Sequence, residues 1–96
     1  MESYKVIWDN KEIGHLTNPM PDMSYLEGDW KSNGTSDSVT FERLLKSFDP
    51  RQVMTDLTKG LEITLCDNGI DDLNAVAVSL DNDKLFLRRL TSKLKS

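Results

Sequence analysis

The chain has little of the chemistry from which active sites and metal sites are usually built. It contains one cysteine, Cys66, and one histidine, His15, among 96 residues. A single cysteine excludes an intramolecular disulfide and a thiolate metal cluster. Its position in the segment LEITLCD predicts a small, reduced side chain in a buried apolar setting.

The chain also lacks a long apolar segment. No run approaches the roughly 20 residues that a membrane-spanning helix needs, and the first residues carry no secretory apolar region. Together with the lone cysteine, these absences predict a cytoplasmic protein that has no membrane partner.

Motifs for phosphate and nucleic-acid binding are absent as well. The five glycines form neither a Walker pattern nor a dinucleotide-binding pattern: they are Gly14, Gly28, Gly34, Gly60 and Gly69. The net charge is −4, with +5 in residues 84–96 and −9 in the rest, which argues against binding to a phosphate backbone. The acidic clusters DNGIDD and DND are typical of turns and do not match a calcium-binding loop. We expect no nucleic acid, no cofactor and no metal.

What is present is the pattern of one small α+β protein. Residues 1–96 predict a single domain, of which residues 91–96 form a frayed basic tail. Residues 4–8 and 11–17 are typical of a β-hairpin. The two prolines in NPMPD cannot continue as a central strand, because proline lacks the amide hydrogen of the ladder. A third strand is expected from residue 23 to residue 31.

The middle of the chain predicts one main helix, over residues 38–48. Its apolar side chains recur at helical spacing and form one stripe: Phe41, Leu44, Leu45 and Phe48. Three further strands follow, in LEITLC, LNAVAVSL and LFLRRL. Val76, Val78 and Leu80 should share one face of the second of these strands.

The predicted order is therefore β-β-β-α-β-β-β. We expect two antiparallel three-stranded meanders, with the helix packed on a face of the sheet. The last strand is apolar on both faces, which is typical both of a central, covered strand and of a homodimer contact. Both readings stay open.

The chain resembles a type of small bacterial protein. The shared pattern is a hairpin, G-x-L-x-N-P-x-P-D-M, L-x-G-x-W, a helix and a three-stranded tail, with these matching positions: Gly14, Asn18, Pro19, Asp22, Gly28 and Trp30. The resemblance covers nearly the whole chain and implies the architecture but no activity. The segment LEGDWK is also similar to the opening strand of calycin-type lipid-binding barrels, although two strands precede it here.

The segment NPMPDMSYLEGDW, residues 18–30, has two interpretations. It can be a crossover stiffened by prolines, with methionines that fill irregular gaps beside the sheet. It can also be a partner-binding patch, because methionine and tyrosine are enriched at protein interfaces and acidic rims steer basic partners. In that case Met20, Met23 and Tyr25 form the patch, and the rim is Asp22, Glu27 and Asp29.

We expect a binding protein rather than an enzyme. The favoured function is a non-enzymatic protein–protein interaction module that uses the 20–30 segment or a sheet edge. The alternative is a small-ligand binding domain, with a pocket between helix and sheet near Trp30 and Phe41. A third hypothesis is a small enzyme that uses His15 with a neighbouring acid and a hydroxyl or thiol.

Overall fold

A computed structural model describes residues 3–66 and 72–90 of the chain. Its strands are β1 (Ser3–Trp8), β2 (Lys11–Asp22), β3 (Tyr25–Ser32), β4 (Leu61–Cys66), β5 (Asp72–Asp81) and β6 (Lys84–Arg89). Its helices are α1 (Ser36–Lys46) and α2 (Pro50–Thr55), followed by a 3₁₀ turn at Leu57–Lys59. The predicted tail, residues 91–96, and most of the DNGIDD turn lie outside the described residues.

Two of the predicted hairpins are confirmed, and their turn residues explain them. Asp9 and Asn10, between β1 and β2, have φ angles of 55° and 63°. Asn82 and Asp83, between β5 and β6, have φ angles of 53° and 60°. Two-residue hairpin turns require this left-handed backbone, which asparagine and aspartate tolerate better than most residues.

Strand β2 continues through the two prolines, so its predicted end at residue 17 is wrong, but beyond Thr17 it is not a central strand, as predicted. The register of β2 against β3 shifts between Thr17 and Met20, and pairing then resumes with Met20 opposite Glu27 and Pro21 opposite Leu26. On the other side of β2, the pairing with β1 ends at Thr17. The prolines therefore lie where β2 pairs with β3 alone among the described strands. Their missing amide hydrogens remove no hydrogen bond to a neighbour on the other side.

The prediction of two meanders with a helix packed on a sheet face is wrong. The six strands form one closed antiparallel barrel in the order β1-β2-β3-β6-β5-β4. Strand β3 pairs with β6, from Tyr25 opposite Arg88 to Asp29 opposite Lys84. Strand β1 pairs with β4, which closes the ring. The two outer strands of the first three, β1 and β3, thus pair with the two outer strands of the last three, β4 and β6.

Helix α1 closes one end of the barrel instead of covering a face. Its side chains Phe41 and Leu45 are buried in the barrel core. The ring of Phe41 lies 5.6 Å from that of Trp8, at the end of β1, and 5.5 Å from that of Trp30, in β3. Leu44, which the helical stripe also predicted as buried, is 37% exposed.

A second, smaller core lies outside the barrel. Val53 of α2 packs there against Val76 and Val78 of β5. Leu80 was expected on the same face as these valines, but it joins the barrel interior, because the register of β5 shifts between Ala77 and Ser79. On β6, Leu85 and Leu87 are buried inside the barrel, whereas Phe86 is half-buried outside and packs against the second core, as does Leu90 just after the strand. No helix in the described part of the chain is long and apolar enough to cross a membrane.

Candidate functional site

The predicted patch residues lie around the turn between β2 and β3. Met20 and Met23 are 70% and 87% exposed, the two most exposed large apolar side chains in the described ranges. Met23 has a φ of 59°, because it occupies the tight turn itself. Tyr25 is half-buried and Glu27 is exposed. The structure does not describe the side chain of Asp22.

The strand register arranges these residues on the outer face of the barrel. One row across three strands contains Met20, Glu27 and Phe86, since Met20 pairs with Glu27 and Glu27 pairs with Phe86. The next row contains Tyr25 and Arg88. Directly paired residues point to the same side of a sheet. The patch therefore extends onto β6, a strand that sequence analysis did not connect with it.

Tyr25 is the ordered centre of this surface. Its ring is stacked on that of Phe86, with centroids 5.1 Å apart and planes 7° apart. The guanidinium of Arg88 lies 5.4 Å from the tyrosine ring centroid, and its Nη1 donates to the tyrosine hydroxyl at 3.4 Å. Aromatic stacking and a cation above a ring each favour one fixed arrangement. We call these six residues the outer surface: Met20, Met23, Tyr25, Glu27, Phe86 and Arg88.

Phe86 and Arg88 were missed because their signal is not local. Both residues alternate with buried leucines in β6, which marks them as outward-facing. Their distance from Tyr25 along the chain exceeds 60 residues, since Arg88 and Tyr25 are 63 apart. Only the pairing of β3 with β6 brings them together.

Asp29 is held by two neighbours at the side of the outer surface. Its Oδ1 lies 2.5 Å from the ammonium nitrogen of Lys84, and its Oδ2 accepts a hydrogen bond from the Asn18 amide at 3.1 Å. The hydrogen bond from Lys84, followed by that from Asn18, lowers the pKa of the Asp29 carboxyl. Glu27 forms no ion pair within the described residues, so it is the predicted rim acid that is free to meet a partner's cation.

His15 does not lie in a catalytic arrangement. It is opposite Lys5 of β1 and Lys31 of β3 in the strand register. Its Nε2 is 3.9 Å from Oε2 of Glu12, which exceeds hydrogen-bonding distance, and its side chain is 44% exposed. No hydroxyl or thiol within the described ranges forms a hydrogen bond with it.

The space between helix and barrel near Trp30 and Phe41 is filled. Trp30 is 5% exposed, Phe41 is fully buried, and the indole Nε1 of Trp30 donates to Oε2 of Glu42 at 2.6 Å. An open groove lies elsewhere, on the outer side of β4 and β5. It has a volume of about 650 Å³ and is lined by Trp8, Asp9, Leu57, Thr58, Gly60, Leu61, Glu62, Val76 and Leu90.

The remaining acidic clusters do not form a metal site where the structure describes them. Across residues 3–66 and 72–90, no three His, Cys, Asp or Glu side chains are placed to hold a metal ion. The DND cluster begins with the last residue of β5 and forms the β5–β6 hairpin turn. Of the predicted DNGIDD turn, residues 67–72, the structure describes only Asp72.

The fold defines the class of this protein as a closed six-stranded antiparallel barrel with one end capped by a helix. Comparisons of the chain with protein-family models, with curated proteins and with solved structures gave no match. The case for a function therefore rests on the geometry of the chain itself.

Proposed function

We propose that this protein is a non-enzymatic interaction module that binds another protein through the outer surface. The observation that carries the proposal is the exposure of Met20 and Met23, at 70% and 87%, beside the stacked pair of Tyr25 and Phe86. Single exposed apolar residues are ordinary, but apolar side chains that adjoin one another on a surface are typical of partner-binding sites.

The residue types suit a contact with a protein. Tyrosine and arginine are enriched among the residues that contribute most to binding, and the Tyr25–Arg88 pair is already ordered before a partner arrives. The two methionines are flexible and adapt their shape to the partner. Glu27 adds a negative charge that favours a basic group opposite it.

A sheet edge is a poor second docking mode. Each of the six strands has two neighbours in the closed barrel. Residues 18–22 of β2 pair with β3 alone among the described strands, but Pro19 and Pro21 have no amide hydrogen to donate to an added strand. Addition of a partner strand requires an exposed edge with unpaired amide and carbonyl groups. The proposal therefore uses only the side chains of the outer surface.

The test is affinity capture with a methionine-specific control. Wild-type protein, the double variant Met20→Ala/Met23→Ala and the control Met54→Ala are used as bait, and bound proteins are identified by mass spectrometry. Met54 is also exposed, at 40%, but it belongs to α2 and not to the outer surface. We expect a protein that binds the wild type and the control but not the double variant.

A crosslinking experiment locates the contact. A photoreactive methionine analogue is incorporated throughout the chain, and the crosslinked positions are mapped. Crosslinks to the captured protein at positions 20 and 23, but not at position 54, are expected. Capture that is equal for all three baits, or crosslinks confined to position 54, would contradict the proposal.

A further inference from the structure

The open groove on the outer side of β4 and β5 lies at the seam where the barrel closes. The ladder between β1 and β4 ends with Ile7 opposite Thr64, although β4 begins three residues earlier, at Leu61. Residues 61–63 therefore pair with β5 alone among the described strands. The β1–β2 turn and the 3₁₀ turn at Leu57–Lys59 both contribute to the groove at this place.

The accessible lining of this groove is mostly apolar. A Cβ at Gly60 would lie 2.5 Å from the side chain of Val76, so the chain after the 3₁₀ turn is packed closely on β5 and this wall of the groove is fixed. An apolar surface of this kind favours a partner that removes it from water. The apolar side chains are half-buried, except for Val76, which is buried: Trp8, Leu57, Leu61, Val76 and Leu90.

Two acids and no cation line the groove. Asp9 and Glu62 are both exposed, and neither forms an ion pair within the described residues. Lys59 belongs to the 3₁₀ turn, but it lines a separate hollow together with Asp49 and Asp56. Two negative charges beside an apolar surface are complementary to a ligand that carries cations next to an apolar body.

The shape of the site favours an extended chain over a compact molecule. A second groove, of about 480 Å³, adjoins the first, because Asp9, Glu62 and Leu90 line both. Its accessible lining is more polar, and such amide and hydroxyl groups suit the main chain of a peptide. Both grooves are open, whereas small-molecule sites enclose most of their ligand. The polar side chains of the second groove are Asn10, Thr64 and Asn74.

We propose that the two grooves bind an extended segment of another polypeptide in which lysine or arginine residues flank apolar side chains. The apolar side chains contact Trp8, Leu57 and Leu90, and the cations meet Asp9 and Glu62. Side chains carry this contact, because three residues of β4 without a β1 partner are few for an added strand. The site is separate from the outer surface, so its test does not rest on the proposed function.

The test compares three capped peptides that separate charge from apolar character. Acetyl-KLLK-amide has both, acetyl-ELLE-amide reverses the charge, and acetyl-KSSK-amide lacks the apolar side chains. Each peptide is titrated into the isotope-labelled protein and followed by NMR. The signals to observe are the indole N–H of Trp8 and the backbone amides of Asp9, Glu62 and Leu90. Saturable shifts are expected with acetyl-KLLK-amide only.

Several outcomes would overturn the proposal. One is the absence of saturable shifts with acetyl-KLLK-amide, and another is equal binding of either of the other two peptides. Shifts confined to Tyr25, Glu27 and Phe86 would place the basic peptide on the outer surface instead. Binding that appears only after removal of residues 91–96 would assign the grooves to the chain itself. Isopentylamine that binds as tightly as the peptide would indicate a small amine.

Two matched double variants assign the charges. Asp9→Asn/Glu62→Gln removes both acids of the grooves and should weaken binding of acetyl-KLLK-amide by at least about threefold, since each exposed ion pair contributes modestly. Asparagine accepts the φ of 55° at position 9. Glu27→Gln/Asp83→Asn removes two exposed acids from β3 and the β5–β6 turn and should leave the affinity unchanged. Equal affinity of the two variants would contradict the proposal, as would binding to the wild type that added salt does not weaken.

Discussion

The indole nitrogen of Trp30 donates a hydrogen bond of 2.6 Å to Oε2 of Glu42, which joins strand β3 to the helix that closes the barrel. A second polar contact, of 2.6 Å between the hydroxyls of Ser32 and Ser38, connects the same two elements. Trp30 and Phe41 supply the apolar contact between them. The capping helix is thus held by packing and by hydrogen bonds at the same place.

Removal of the Trp30 side chain should destabilise the protein strongly. Trp30→Ala creates a cavity at the junction of helix and barrel, and we expect a loss of about 3–5 kcal/mol in the free energy of unfolding. Small domains have about 5–15 kcal/mol in total. Urea denaturation followed by circular dichroism measures the loss. Trp30→Phe keeps most of the packing and should cost much less; equal losses for the two variants would contradict this account.

Gly14 should not accept a side chain. A Cβ at this position would lie 2.2 Å from the main-chain oxygen of Lys31 and 2.7 Å from the Trp30 ring. Gly14→Ala should therefore destabilise by at least about 1–3 kcal/mol, the usual cost of overpacking. Gly34→Ala is the control, because nothing lies within 4 Å of its Cβ position. Its φ of 81° adds strain of about 1–2 kcal/mol. A Gly14→Ala variant as stable as wild type would mean that Trp30 lies elsewhere.

The ion pair between Asp29 and Lys84 should make stability depend on pH at both extremes. The hydrogen bond from Lys84 lowers the pKa of Asp29 in the folded state. The stabilisation is therefore present above the unfolded pKa of about 3.9 and is lost as the pH falls through the lower folded value. The same hydrogen bond raises the pKa of Lys84. At the alkaline end, stabilisation is present below about 10.4 and disappears as the pH rises through the folded value.

The measurement is the urea midpoint of wild type and Asp29→Asn across the pH range. The difference between the two proteins should be largest near neutral pH and should shrink towards both extremes. Glu62→Gln removes an exposed acid that forms no ion pair in the described residues and does not act on Asp29 or Lys84, so it serves as the control. A difference that is constant with pH would show that the ion pair contributes nothing.

Within the outer surface, Tyr25 should stabilise the fold, whereas Met20 and Met23 should not. Tyr25→Ala removes the stack on Phe86 and should cost about 1–3 kcal/mol. Met20→Ala/Met23→Ala should change stability by about 0.5 kcal/mol or less per substitution, because both side chains lie mainly in solvent. Thermal unfolding of the two variants tests this contrast. A large loss for the methionine variant would mean that these side chains pack within the fold.

Cys66 should react slowly with thiol reagents. Burial raises the pKa of the Cys66 thiol, and the carboxylate of Asp72 raises it further. Less thiolate is then present near pH 8 than in an unfolded chain, in which the thiol pKa is about 8.5. A disulfide reagent should therefore react more slowly with the folded protein than with the urea-denatured protein. Asp72→Asn should accelerate the reaction of the folded form; an unchanged rate would contradict the role of the carboxylate.

Local patterns predicted the elements well. Asp9 and Asn10 predicted a hairpin turn because few other residues accept its backbone angles. The spacing of Phe41 and Leu45 predicted one buried face of a helix, since a helix repeats every 3.6 residues. Leu80 shows the limit of such patterns, because one register shift in β5 reversed its predicted face.

The candidate sites could be predicted only in part. Met20, Met23 and Tyr25 stand close together along the chain, so composition alone singled them out. Phe86 and Arg88 could not be joined to them, and Asp9 gave no sign that it would line a groove with Glu62. These groupings depend on which strands are neighbours around the barrel.

The sequence by itself determined the presence of six strands, the β1–β2 and β5–β6 hairpins and the main helix, because backbone angles and side-chain alternation act over a few residues. Only the tertiary structure decided that β3 pairs with β6 and β1 with β4. A strand edge presents the same amide and carbonyl groups whatever its side chains, so strand patterns do not state which edges will meet. Closure of the barrel placed α1 at its end, put Tyr25 against Phe86 and brought the β1–β2 turn to the groove at the start of β4.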